Sequence, residues 1–353
     1  MTTKLNPDQV NYLNIGLMIF SAALAFRFPF ELFLFSYTVL GPLHYLTEIS
    51  WLHDRNYYTQ GKYDYLFLTM VGVLVTVMTF NLLGPSPKGA AGLLTCTAFF
   101  GAWSFAFLKG TAVRLGTLLP IAGLSVILSL FAFFTPLFAV FLPTLIHVFI
   151  FTGLFLAAGA LKGRSLSGFL SLGVFLTLGG ALLFFHGVPV EYQASAYARQ
   201  NYGIFGDNGA PTNPFIALNF LTLQAFGLHQ FGHPAGSLPG FISSVNSYLY
   251  HDPVALALMA FIAYAYTYHY FNWFSKTSII RWHEVSHRRM AAVLLIWGIS
   301  LGLSAYNYSL GFRWLFFLSF THVLLEFPLN QLTLVGIGKE VRKIILLAPQ
   351  TNP

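Results

Sequence analysis

Long apolar segments dominate this sequence, and they decide what the chain can fold into. Ten of them are each roughly 17 to 25 residues long, the length that an α-helix needs to cross a bilayer. With 56% hydrophobic and 8% charged residues, the chain is too apolar for an ordinary water-soluble domain. We therefore predict an all-α, polytopic integral membrane protein in which residues 1–353 form a single transmembrane domain. The ten predicted spans are 11–27, 29–49, 64–83, 89–108, 115–134, 137–160, 167–186, 253–274, 290–308 and 314–335.

The basic residues are unevenly divided between the two sides of these spans. With the N-terminus inside, 14 of the 18 Lys and Arg residues lie on the cytoplasmic side and four on the other. Cytoplasmic loops carry such an excess, so we expect both termini to be cytoplasmic and the protein to lie in a bacterial inner membrane. The basic residues form no concentrated run, and the net charge of +7 therefore does not indicate a nucleic-acid partner. The four residues on the opposite side are Arg27, Lys88, Arg199 and Arg313.

One connection is much longer than the others. Residues 187–252 are extracytoplasmic in this topology and are rich in Pro, Gly and Asn. Long loops are usually functional or separately folded, and we expect this one to cover the outer mouth of the protein. A modestly apolar stretch from Pro214 to Phe231 predicts a re-entrant or interfacial helix within it. Whether its histidines bind anything stays open; those of this outer region are His186, His229, His233 and His251.

Histidines and glutamates stand near one end of several apolar spans. Seven of the eleven histidines do so, and the predicted topology places them in the inner half of the membrane or at its inner interface. Ionisable groups in a membrane are costly and usually functional, with partners among themselves. Several are four residues apart, so that two side chains share one helix face. The residues are His44, Glu48, His53, His147, His269, His283, His287, His322 and Glu326, and all except His53 are predicted metal ligands.

The types of these side chains narrow the choice of metal. The single cysteine, Cys96, excludes a cysteine-rich site, so that any ligands must be nitrogen and oxygen atoms. Imidazoles with a few carboxylates suit iron, zinc, copper or nickel. Glu48 and Glu326 either accept the second ring proton of a histidine or bind the metal themselves. Three or four histidines around Fe(II), with open positions for dioxygen and a lipid-soluble substrate, would suit oxygen chemistry on an apolar molecule.

The same residues also fit roles without a bound iron ion. A histidine in a membrane helix often hydrogen-bonds to a neighbouring helix, and His-Glu-Val-Ser-His at 283–287 formally matches the zinc-protease motif. His44, Glu48, His322 and Glu326 could form the proton relay of a transporter. The histidines could also hold haem or another pigment in a subunit of a membrane complex.

Four short stretches, in order, resemble the membrane β-carotene dioxygenases, a retinal-forming family of integral membrane iron enzymes. They are HYLTE from His44, LIH ending at His147, HEVSHRR from His283 and HVLLE from His322. The resemblance implies that His44, His147, His283 and His287 bind iron and that the substrate is a carotenoid or another isoprenoid. Tyr45 and Glu48 stand where that family has Gly and Asp.

Overall fold

The computed structural model describes residues 5–185, 192–202, 214–227 and 238–347, and this part of the chain consists of helices and connecting turns without a β-strand. The first half contains α1 (Pro7–Arg27), α2 (Pro29–Phe35), α3 (Gly41–His53), α4 (Asp64–Thr79), α5 (Ala90–Phe107), α6 (Thr111–Leu128), α7 (Thr152–Gly163) and α8 (Leu166–Phe184). The second half contains α9 (Ala196–Tyr202), α10 (Pro214–Ala225), α11 (Leu238–His251), α12 (Pro253–Ser275), α13 (Thr277–Ile280), α14 (His287–Tyr306) and α15 (Tyr308–Leu347). Two π-helical segments, Ser36–Leu40 and Pro136–Phe151, and a 3₁₀ turn, Asn56–Tyr58, complete the order.

Eight of the described helices are long and apolar enough to cross a membrane, as in an integral membrane protein. The prediction of an all-α membrane protein is confirmed at this level. The other two predicted spans are also helical, but Pro29–His53 is divided by a π-helical segment and α4 has 16 residues. The count of ten spans and the cytoplasmic position of the termini remain predictions. The eight helical spans are α1, α5, α6, Pro136–Gly163, α8, α12, α14 and α15.

Several helices begin directly after a polar residue that caps them, as expected from the sequence. Asn6 accepts a hydrogen bond from the backbone of Gln9 at 2.8 Å, and the Gln9 side chain accepts one from the Asn6 backbone at 2.9 Å, a reciprocal capping box. Asp252 caps α12 by accepting from two backbone N–H groups just after it. Ser286 caps α14 in the same way, so that His287 is the first residue of that helix.

The core is built around two central helices. α12 is buried along most of its length and packs against α1, α2 and α8, whereas α15 packs against α3, α4, α5 and α14. α3 and the π-helix Pro136–Phe151 each contact both α12 and α15. These two segments therefore bring side chains from both halves of the core to one place. By contrast, α6 and α14 are mostly exposed and apolar, as expected of helices that face lipid.

Part of the long outer connection is folded against the core. The helix predicted from Pro214 is α10, whose Ile216 and Leu218 are buried, and it contacts α12 and the π-helix. α11 also packs against α12. His186, His229 and His233 lie outside the described residues, so the expectation that this region covers the outer mouth stays a prediction.

Candidate metal centre

Four helical segments each place one buried histidine at a common point in the core. His44 comes from α3, His147 from the π-helix, His269 from α12 and His322 from α15. Three of these residues are 1% exposed and His269 is 8% exposed. One ring nitrogen of each lies within 4.8 Å of the corresponding nitrogen of all the others. The predicted gathering of histidines from separate helices is confirmed for these four.

The distances between the ring nitrogens fit a single metal ion. His269 Nε2 is 3.0 Å from His44 Nε2, and His322 Nε2 is 3.2 Å from His147 Nε2. Imidazole nitrogens bind zinc at about 2.0–2.1 Å, so two nitrogens on one ion are separated by about 3–4 Å. Each of the two pairs is therefore already at the separation that a shared ion requires.

Two histidines have partners for the nitrogen that faces away from the cluster. His269 Nδ1 is hydrogen-bonded to Thr152 Oγ1 at 2.8 Å, and His147 Nδ1 lies 3.1 Å from Glu326 Oε2. Metal-bound histidines usually use their second nitrogen in this way, which fixes the ring orientation. Glu326 thus stands on the outer side of His147, where it orients a ligand.

Glu48 has a different position. Its Oε2 lies 3.1 Å from His44 Nε2, the same nitrogen that faces His269. The carboxylate is therefore on the metal side of the cluster and can provide an oxygen ligand. The sequence left the roles of Glu48 and Glu326 open. In the structure Glu48 lies where it would bind a metal held by the cluster, and Glu326 lies where it would orient the His147 ring.

Several buried polar atoms at this point lack a hydrogen bond within the described residues. They would be costly in a core unless another group, such as a cation, paired with them. No Lys or Arg of the described chain forms an ion pair with Glu48 or Glu326. The donor set of imidazoles and carboxylates fits a transition metal. The atoms without such a partner are His44 Nδ1 and His322 Nδ1, and the only close partner of Glu48 Oε2 and of Glu326 Oε2 is a histidine nitrogen at 3.1 Å.

The structure does not bring His283 and His287 to the cluster. Both are exposed, His283 in the turn after α13 and His287 at the start of α14. Next to them, Arg289 pairs with Asp54 at 2.6 Å and lowers the pKa of the Asp54 carboxyl. His53 is also exposed and lies 3.6 Å from Asp54.

Aromatic residues that the sequence analysis did not select support the histidines. The Tyr45 ring stacks on His322 with centroids 4.3 Å apart, and the Tyr45 and Tyr270 hydroxyls are 2.6 Å apart. Trp273 packs edge-on against His44. Tyr45 and Tyr270 each follow a cluster histidine directly in sequence, which is the only signal that could have identified them.

A cavity of about 380 Å³ reaches the histidine cluster. His44, His269, Glu48 and Glu326 line its inner end. Its mouth is formed by the beginning of α1, the turn between α7 and α8, and the end of α12. The volume is in the range of small-molecule sites. The cluster is therefore accessible to a ligand through this cavity. His44 and His269 line the cavity, whereas His147 and His322 do not.

We expect Glu326→Gln to weaken metal binding about 10-fold to 100-fold, because the amide is a poorer acceptor for the His147 N–H. Titration of the metal-stripped protein with Co(II), followed by its visible absorption, measures the affinity. Glu284→Gln, a change at an exposed glutamate whose Arg281 partner is 3.9 Å away, is the matched control. Unchanged affinity in Glu326→Gln would contradict the orienting position.

In comparisons with protein families, curated proteins and solved structures, the chain matches no family model, no curated protein and no solved structure.

Proposed function

We propose that the four buried histidines bind iron as Fe(II) and that the chain is a membrane-embedded oxygenase of a lipid-soluble substrate, of the carotenoid or another isoprenoid class. The observation that carries the proposal is the approach of four imidazoles from four helical segments, together with two carboxylates that no Lys or Arg of the described chain neutralises. A bound iron ion would supply dioxygen activation at this point.

The balance of charge favours a metal over a network of hydrogen bonds. Neutral imidazoles can pair with one another through shared protons, but Glu48 and Glu326 would then either have to take up a proton or remain buried without a cation. A divalent cation would offset both charges and would satisfy the nitrogens at the same time. The geometry therefore supports a metal centre more strongly than interhelical hydrogen bonding alone.

Two pairs of histidines would hold the ion from opposite sides. His147 and His322 hold it from the closed side, with Glu326 and Tyr45 supporting their rings. His44 and His269 hold it from the side that lines the cavity. A substrate in the cavity would therefore lie next to the metal, with apolar walls from residues such as Phe155 and Leu156 that exclude water.

The resemblance to the membrane β-carotene dioxygenases supports the reaction class and the isoprenoid substrate. Two of the ligands that it implies, His44 and His147, belong to the cluster. We propose His269 and His322 as the other two, in place of the exposed His283 and His287. This ligand set keeps four nitrogen donors.

Nitric oxide provides the test, because it binds to non-haem Fe(II) at the positions that dioxygen would use. We expect the anaerobic, Fe(II)-loaded protein to give the electron paramagnetic resonance signal of a high-spin iron–nitrosyl complex. Zn(II)-loaded protein is the control and should give none. Iron-loaded protein without this signal would refute an oxygen-activating centre, and an absorption spectrum of the same sample would reveal haem.

A further inference from the structure

Lys276 places a positive charge in the wall of the cavity that leads to the metal centre. It follows α12 directly, outside the membrane-spanning segment, and lines the cavity. Its ammonium forms no hydrogen bond or ion pair within the described part of the chain, and burial lowers its pKa to about 8. A partly desolvated cation without a partner is costly unless an anion accompanies it.

The position of Lys276 relative to the metal centre is set by one helix. His269 and Lys276 are seven residues apart, which is about two turns and about 10 Å along the axis, and Lys276 caps the C-terminal end of α12. Trp273, between them, also lines the cavity. The ammonium therefore stands near the mouth, and the histidines stand at the inner end.

The cavity walls are polar at the mouth and apolar in the deeper part. Polar side chains surround the mouth, among them Asn11, Asn272 and Ser165, whereas Phe155, Leu156 and Leu329 line the deeper part. A hydrocarbon without a polar group would leave the Lys276 ammonium without a partner. A molecule with one charged end and an apolar body matches both parts.

We propose that the cavity binds an apolar chain that ends in one carboxylate, with the carboxylate on Lys276 and the chain directed toward the histidine cluster. This inference rests on the proposed function for its consequence, which is that the bound chain would be oxidised along its apolar part and not at its charged end. The binding site itself does not depend on the metal. A single ammonium matches the single charge of a carboxylate.

The test uses cis-parinaric acid, a fluorescent polyene fatty acid, and its methyl ester, with the purified full-length protein in nanodiscs. Trp51 and Trp273 line the cavity, so energy transfer from tryptophan to the polyene reports binding there. We expect the acid to bind at least about tenfold more tightly than the ester, the contribution of one charge-assisted contact. Lys276→Met should remove this preference.

Two further variants complete the design. Lys276→Arg keeps the charge and should keep the preference, which separates charge from folding. Lys109→Met removes an exposed lysine that lies outside the cavity and should change nothing. Equal binding of acid and ester by the unchanged protein, or a preference that survives in Lys276→Met, would overturn the proposal.

The outcomes also separate this inference from the proposed function. Acid preference in a protein that gives no iron–nitrosyl signal would leave the carboxylate site standing and the oxygenase refuted. An iron–nitrosyl signal without acid preference would leave the oxygenase standing and refute only the carboxylate site.

Discussion

Changing His269 or His322 to Ala is expected to reduce the bound transition metal from about one ion per chain to a small fraction. Each residue supplies a nitrogen that lies close to another cluster nitrogen, at 3.0 Å from His44 and at 3.2 Å from His147. Metal sites built from a few imidazoles lose much of their affinity with one ligand, because no spare donor of the same kind is present. Elemental analysis by mass spectrometry, on protein purified in iron-supplemented medium, measures the ratio.

The matched controls are His283→Ala and His287→Ala. Both residues are exposed and outside the cluster, so we expect full metal content in each variant. The ligand set implied by the resemblance leads to the opposite result, with loss of metal in these two variants and retention in the other two. The four proteins therefore decide between the two ligand sets, provided that each elutes as a folded species in size-exclusion chromatography.

A metal-free wild-type protein that is fully folded would contradict both ligand sets. In that case the cluster would be a hydrogen-bonded network, and the proton relay of a transporter would account better for the two buried carboxylates. Proton uptake by the protein in vesicles would then be the appropriate measurement.

Helices were readily predictable from this sequence because bilayer length and capping are local properties. The apolar run after Asn6 and Pro7 and the run after Asp252 and Pro253 begin as helices where the caps stand. The π-helical turns over Pro136–Phe151 were not predictable, because their wider hydrogen bonding depends on packing against α5, α7 and α12. The local sequence pattern therefore locates a helix but does not decide whether its turns are α-helical or π-helical.

For the histidine cluster, the sequence predicted the kind of residue involved but only some of the residues that belong to it. The depth of a histidine follows from its place in a span, and this correctly selected His44, His147, His269 and His322. Membership also depends on the direction in which each helix face points, which is set by contacts between helices distant in sequence. The HEVSH string illustrates the difference, since its depth is suitable but its residues lie at an exposed helix start.

A buried ion pair far from the metal centre is expected to contribute strongly to stability. Arg114 at the beginning of α6 and Asp64 at the beginning of α4 are 5% and 7% exposed, with Nε and Oδ2 2.9 Å apart. Asp64 also accepts a hydrogen bond from the Gly61 backbone at 2.9 Å. A Cβ atom at Gly61 would collide with both side chains, so a larger residue there would displace them from their present positions.

Arg114→Met should lower the free energy of unfolding by about 3–5 kcal/mol, because it leaves the Asp64 carboxylate buried without its partner. Unfolding in mixed detergent–SDS micelles, followed by tryptophan fluorescence, measures the change. Arg281→Met, at an exposed pair 3.9 Å apart, is the control and should cost at most about 1 kcal/mol.

The double variant Arg114→Met, Asp64→Leu separates the ion pair from simple packing. Replacing both charges with apolar groups removes the unpaired anion, so we expect the double variant to be more stable than Arg114→Met alone. A double variant that is less stable than the single one, by the full cost of Asp64→Leu, would show that the two side chains act independently. In that case the ion pair would contribute little to stability.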